Sequence, residues 1–80
     1  MRPEDVKALL EERVEGCSFV IEGEGCNFQV TAISERFGDL TRLKRQQLIN
    51  SALSDEIASG ELHALTIKTF TPAQWAELNG

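Results

Sequence analysis

Two periods of apolar and polar residues run along this chain, and each switch between them marks an element. Over residues 3–14 the apolar positions Val6, Leu9, Leu10 and Val14 recur three and four residues apart, with Glu4, Asp5, Lys7, Glu11 and Glu12 between them, which predicts an amphipathic helix. Glu4 and Asp5 fall in its first turn, where the helix dipole favours acids, and Gly16 is placed to stop it. The period then shortens to two. Residues 17–21 and 28–34 read as strands, joined by a polar, Gly-rich loop over residues 22–27, and Phe28, Val30 and Ala32 share one face of the second strand. After a turn at Phe37-Gly38-Asp39-Leu40, Thr41 is placed to cap a helix running to about Leu53, with Leu48, Ile49, Ala52 and Leu53 as its buried stripe. Ser54 can cap a further short helix through Ser59. Residues 62–70 alternate again, with Leu65 and Ile67 on one face and β-branched Thr66 and Thr69 adding strand propensity. Thr71 then makes an N-cap, Pro72 fits the first helical position and Gln74 stands where a capping box places its Glu or Gln, so a terminal helix carries Trp75.

The order is therefore helix, strand, strand, helix, helix, strand, helix. A small three-stranded mixed sheet with helices packed on one face is the economical way to bury these stripes, an α/β (α+β) class. With 80 residues there is room for one domain over residues 1–80, and a hydrophobic fraction of 41% with four Phe and one Trp supplies a single core. No run approaches the roughly 18 apolar residues of a membrane span, and the stretch beginning Met1-Arg2-Pro3 lacks the apolar core of a signal peptide. The expectation is a soluble, cytoplasmic protein with no membrane partner. A formal net charge of −5 argues against general affinity for nucleic acid but leaves room for a local basic patch.

Three features could carry chemistry. The single histidine, His63, stands beside Leu62 and Leu65 and reads either as a partly buried, hydrogen-bonded residue or as a ligand. Cys26, flanked by Gly25 and Asn27, belongs to a loop tip or strand edge without apolar neighbours to bury it, and is either a reactive or metal-binding thiol or has no role. Cys17, followed by Ser18-Phe19-Val20, reads as a small core residue, and without a CxxC spacing neither cysteine suggests a disulfide framework. Arg42, Lys44 and Arg45 crowd the start of the second helix, where cations oppose the helix dipole and no acid follows four residues on to offset them. They form either a docking surface for an anion or acidic partner, or a solvated face. No hydrolase, phosphate-loop or metalloprotease motif occurs, and one histidine among scattered carboxylates does not divide acid from base, so no enzyme is expected.

The run Leu62-His63-Ala64-Leu65-Thr66-Ile67-Lys68-Thr69-Phe70-Thr71-Pro72-Ala73-Gln74-Trp75 resembles the C-terminal signature of the BolA family, whose members read close to I-H-A-L-S-I-K-T-Y-T-P-E-E-W. The helix start from Arg42 to Ile49 is similar to that family's basic V-K-R-Q-R-L-V segment. The likeness spans essentially the whole chain, and the short, acidic, IbaG-like bacterial members resemble it most. It implies a fold similar to the class II KH domain and a non-enzymatic role as heterodimeric partner of monothiol glutaredoxins in iron-sulfur cluster binding, trafficking or sensing. It also implies that His63 and Cys26 supply two ligands of a two-iron two-sulfur cluster. The other two would come from the glutaredoxin cysteine and from glutathione, and the chain alone would carry no cofactor. Where IbaG-like sequences have a histidine next to the Phe, this chain has Asn27, which leaves Cys26 the one soft ligand in that loop. A second implication is nucleic-acid binding or transcriptional control through Arg42, Lys44 and Arg45. KH domains clamp the backbone with a GXXG loop, however, and the corresponding turn here holds one glycine followed by an acid.

Overall fold

Pro3 occupies the first helical position of α1 (Pro3–Arg13), and the Arg2 N–H donates to Asp5 Oδ2 at 3.0 Å, so the helix start is satisfied by its own first turn. The computed structural model to which this helix belongs describes residues 2–24 and 27–79. After α1 come β1 (Ser18–Glu24), β2 (Asn27–Ile33), a 3-10 turn (Glu35–Asp39), α2 (Arg42–Ala52), α3 (Ser54–Ser59), β3 (Ala64–Phe70) and α4 (Pro72–Asn79). Helices and strands follow the expected order. Gly16 adopts a left-handed φ of 77° and releases the chain from α1 into β1.

The sheet has the order β1-β2-β3 and is mixed. β1 and β2 form an antiparallel hairpin from Ser18↔Ile33 to Glu24↔Asn27, whereas β2 and β3 are parallel from Asn27↔Ala64 to Ile33↔Phe70. The parallel pair follows from the chain's length between them, since α2 and α3 form the crossover that parallel strands require. Phe19, Phe28, Val30 and Ala32 point to the helical side and are buried with Val6, Leu10 and Val14 of the first helical segment, Phe37, and Ile49, Leu53 and Leu62. Leu65, Ile67 and Thr69 lie in the same rows through their pairing with Phe28, Val30 and Ala32. The opposite face presents Val20, Gln29, Thr66 and Lys68, of which Val20 is 41% exposed.

Several boundaries differ from the sequence reading: β1 begins at Ser18 and not Cys17, and β2 runs over Asn27–Ile33 and not 28–34, besides three larger shifts. β1 continues through Glu22, Gly23 and Glu24, which were expected in the loop. Glu22 and Gly23 are exposed there, and Gly23 pairs with Phe28 at a φ of 153°, where an added Cβ would come within 2.9 Å of the Phe28 Cα. Leu62 and His63 precede β3 instead of beginning it. Leu62 is buried off the strand, its N–H donating to the Glu56 carbonyl at 3.2 Å. Ser54 is the first residue of α3 and not its cap, because Leu53 serves as both the end of α2 and the start of α3, its carbonyl accepting the Ile57 N–H at 3.0 Å.

Two polar groups tie the layers. Buried Ser34 donates its hydroxyl to the Gly16 carbonyl at 2.8 Å and accepts the Arg36 N–H at 3.2 Å. Arg13 reaches from α1 to α3, its guanidinium donating to both Glu56 carboxylate oxygens at 2.6 and 3.3 Å and to the Ala52 carbonyl at 2.8 Å. The hydrogen bond from Arg13 holds the Glu56 carboxyl below the usual glutamate range against the opposing effect of burial, and raises Arg13 in turn. The chain closes with the expected capping box on α4: the Thr71 N–H donates to Gln74 Oε1 at 2.9 Å and the Gln74 N–H to Thr71 Oγ1 at 3.2 Å. Trp75 stacks on Phe70, the ring centroids 5.6 Å apart and the planes tilted by 47°.

Candidate functional site

His63 is exposed, between a buried anchor and a strand. On one side Leu62 is sunk in the core, and on the other the backbone enters β3 at Ala64, so the histidine's main chain is held while its ring faces solvent. α3 ends at Gly60 with a left-handed φ of 85°, and a Cβ built there would lie 3.6 Å from His63 Nε2. The imidazole therefore lies beside Gly60, which the left-handed backbone there favours and which adds no side chain next to Nε2. Of the two readings of His63, the hydrogen-bonded, partly buried one does not describe this position.

The parallel register decides what His63 stands near. Asn27 and Ala64 are Cα partners, so β2 and β3 begin side by side, with neighbouring strands roughly 5 Å apart. His63 immediately precedes β3, and Cys26 immediately precedes β2 in the sequence. Cys26 itself lies outside the described residues. Among the described residues no group of three or more His, Cys, Asp or Glu side chains is arranged to hold a metal ion. Cys17 is partly buried against the core, as its apolar neighbours suggest.

Arg42, Lys44 and Arg45 do not act as one set. Thr41 caps α2, its Oγ1 accepting the Lys44 N–H at 3.2 Å, and this presents Arg42 and Lys44 to solvent in a first turn that holds no acid of its own. Arg45 is partly buried. Its Nε donates to the Leu40 carbonyl at 3.1 Å, and its guanidinium carbon lies 5.7 Å from the centroid of the buried Phe37 ring. One cation of the three is thus engaged in holding the preceding turn against the helix.

The structure also brings forward residues that the sequence reading did not single out. Arg42 and Gln46 of α2 face Ile67, Lys68, Thr69 and Phe70 across a cleft of about 240 Å³, and Arg42 borders a second cleft of about 320 Å³ toward Gln74 and Glu77 of α4. Lys68 carries a weak signal in the sequence, being the one charge within a strand of otherwise uncharged residues. Gln46 carries none. A third cleft, bordered by Glu22, Asn27, Gln29 and Thr66, opens at the sheet end near His63.

Comparison with known proteins agrees with the fold. The BolA family pattern, described as BolA-like protein, matches residues 7–74. The chain is similar to the acid stress protein IbaG of Escherichia coli (strain K12), 35% identical over 83 aligned positions that cover 100% of this chain and 99% of the relative. It is 37% identical to a Vibrio cholerae protein named DNA-binding transcriptional regulator BolA, over 98% of this chain and 70% of that protein. Among solved structures, a bolA protein homologue from Coxiella burnetii superposes with a TM-score of 0.85 at 28% identity, over 95% of this chain and 97% of that one. With the family pattern covering most of the chain and the three-stranded mixed sheet shared with a solved relative, the chain belongs to the BolA family.

Proposed function

We propose that this chain is a non-enzymatic partner of a monothiol glutaredoxin in iron-sulfur cluster handling, sharing a two-iron two-sulfur cluster through His63 and Cys26. The observation that carries the reading is the position of His63: exposed, fixed on both sides by buried Leu62 and by β3, and at the sheet end where β2 and β3 begin side by side. The donor types fit the group, since iron accepts both imidazole and thiolate and mixed ligation of this kind exists. Two donors are half of the four a cluster needs, which calls for a second protein to supply the rest. When bound, the cluster supplies electron storage and an iron-sulfur unit that can be passed on. The chain's own part is to hold and orient. Leu62 anchors the histidine, the β2–β3 register keeps its backbone beside the start of β2, and Gly60 places no side chain beside Nε2.

The test is to assemble the complex with a glutaredoxin and glutathione using wild type, His63→Ala and Cys26→Ser. The visible spectrum and the lifetime in chelator are then compared. The expected result is an altered spectrum and faster loss for His63→Ala; an unchanged spectrum and lifetime would end the shared-site reading.

A second reading is nucleic-acid binding at the start of α2, favoured by the name of the Vibrio relative and by exposed Arg42 and Lys44. The net charge of −5 and Asp39 beside this turn weigh against it. Titrating salt into a mixture with short duplex DNA separates the two, because phosphate contacts weaken steeply as salt rises.

A further inference from the structure

β3 lies at the edge of the sheet, and among the described residues no strand pairs with its outer side. The Phe70 carbonyl accepts the Ser34 N–H at 3.0 Å, so Phe70 turns its backbone groups toward the β2 side. In a strand both backbone groups of a residue point the same way and neighbouring residues point oppositely. Thr66 and Lys68 therefore also spend theirs on β2, while Leu65, Ile67 and Thr69 direct N–H and C=O outward. The cleft between β3 and α2 is bordered by the consecutive residues Ile67, Lys68, Thr69 and Phe70, which is how a strand looks from its edge.

We infer that this edge takes up an extended acidic segment of a partner protein as an added strand, lying between β3 and Arg42 and Gln46 of α2. An exposed edge is a template for another strand, and backbone pairing of this kind recurs in peptide recognition. Charge selects the occupant. Lys68 is exposed on the open face of the sheet and Arg42 borders the cleft from the helical side, so the edge has a cation on each face. Successive residues of an added strand alternate between the same two faces, and two consecutive acids would meet Lys68 with one and Arg42 with the other. Glu77 borders the adjoining cleft toward α4 and would repel acids placed further along. A second copy of this chain is disfavoured, because pairing two β3 edges brings their lysines together and each copy carries a net charge of −5. A nucleic-acid strand has no row of alternating amides and carbonyls to match the three outward residues. The inference does not rest on the cluster reading, since neither His63 nor Cys26 borders the cleft or supplies the backbone groups and cations it uses.

The experiment titrates a blocked peptide of sequence Thr-Val-Glu-Glu-Val-Thr into the isotopically labelled intact chain and follows amide exchange by NMR. The expected result is slower exchange at Leu65, Ile67 and Thr69, with Thr66 and Lys68 unchanged because they are already paired. Charge reversal at both sites, Arg42→Glu with Lys68→Glu, should weaken binding about tenfold or more. A peptide of the same charge with alternate backbone nitrogens methylated should not bind. Protection without the alternating pattern, equal binding of the methylated peptide, or the same protection from a single-stranded hexanucleotide would each overturn the inference, as would dimerisation of the chain through this edge. The methylated peptide uses the unaltered protein, so the test stands even if the reversed variant does not fold.

Discussion

Removing the Arg45 side chain should cost stability that removing its neighbours Arg42 and Lys44 does not. Its Nε hydrogen bond to the Leu40 carbonyl at 3.1 Å is charge-assisted, and the guanidinium also lies over the Phe37 ring at 5.7 Å. A hydrogen bond from a charged donor is worth about 1.5 kcal/mol at the low end appropriate to a partly exposed site, and the ring contact adds about 0.5 kcal/mol. Some of this returns as water solvates the freed carbonyl, so Arg45→Ala should destabilise by about 1 to 2 kcal/mol. For a chain of this size that lowers the melting temperature by roughly 5 to 15 °C. Arg42→Ala and Lys44→Ala, on the exposed surface, should each stay within about 0.5 kcal/mol of wild type. Arg45→Lys should recover little, since an ammonium has neither Nε nor a flat face to lay on Phe37. Urea and thermal melts of the four variants make the measurement. Arg45→Ala melting with Arg42→Ala would refute the assignment and return Arg45 to the exposed basic surface.

Three further perturbations test the frame. Trp75→Ala should cost about 2 to 3 kcal/mol, below the roughly 3 to 5 of a fully buried ring, because Trp75 is only partly covered and leans on Phe70; a melt unchanged from wild type would make α4 peripheral. Glu56→Gln should destabilise at neutral pH. Because its folded pKa is depressed below the ordinary 4.5, the contribution of Glu56 is present above that value and lost as pH falls through the lower folded one, so the urea midpoints of variant and wild type should converge in acid. Gly23→Ala should cost about 2 kcal/mol or more, since the added Cβ meets the Asn27 carbonyl and Phe28 in the paired strand; an unaltered midpoint would mean the hairpin end shifts freely.

What could be read from the chain was local. The Thr71, Pro72 and Gln74 cap, the Thr41 cap and the Val6, Leu10 and Val14 stripe each depend on residues within a turn or two, and each stands as expected. The extent of β1 was hidden because Glu22, Gly23 and Glu24 have the composition of a loop, and only their pairing with β2 makes them a strand. In sequence Arg45 groups with Arg42 and Lys44, because nothing local marks the Phe37 ring beneath it. His63 allows two readings in sequence for the same reason: its exposure follows from Leu62 turning into the core before β3, which the alternation of residues 62–70 does not show. The two cations flanking the β3 edge come from different elements, and no spacing rule joins Arg42 to Lys68.

The parallel pairing of β2 with β3 also bears on when in folding His63 reaches its place. The hairpin of β1 and β2 joins strands adjacent in sequence and can form early, but Asn27 meets Ala64 only after the whole crossover through α2 and α3 has folded back across the sheet. Contacts of such long sequence separation pay the largest loop-closure entropy and are the slow ones to form. His63 is therefore brought beside the start of β2 late, as a product of completed folding. A nascent or partly unfolded chain would hold His63 away from the start of β2, so under the proposed function the ability to share a cluster would report that the domain is whole.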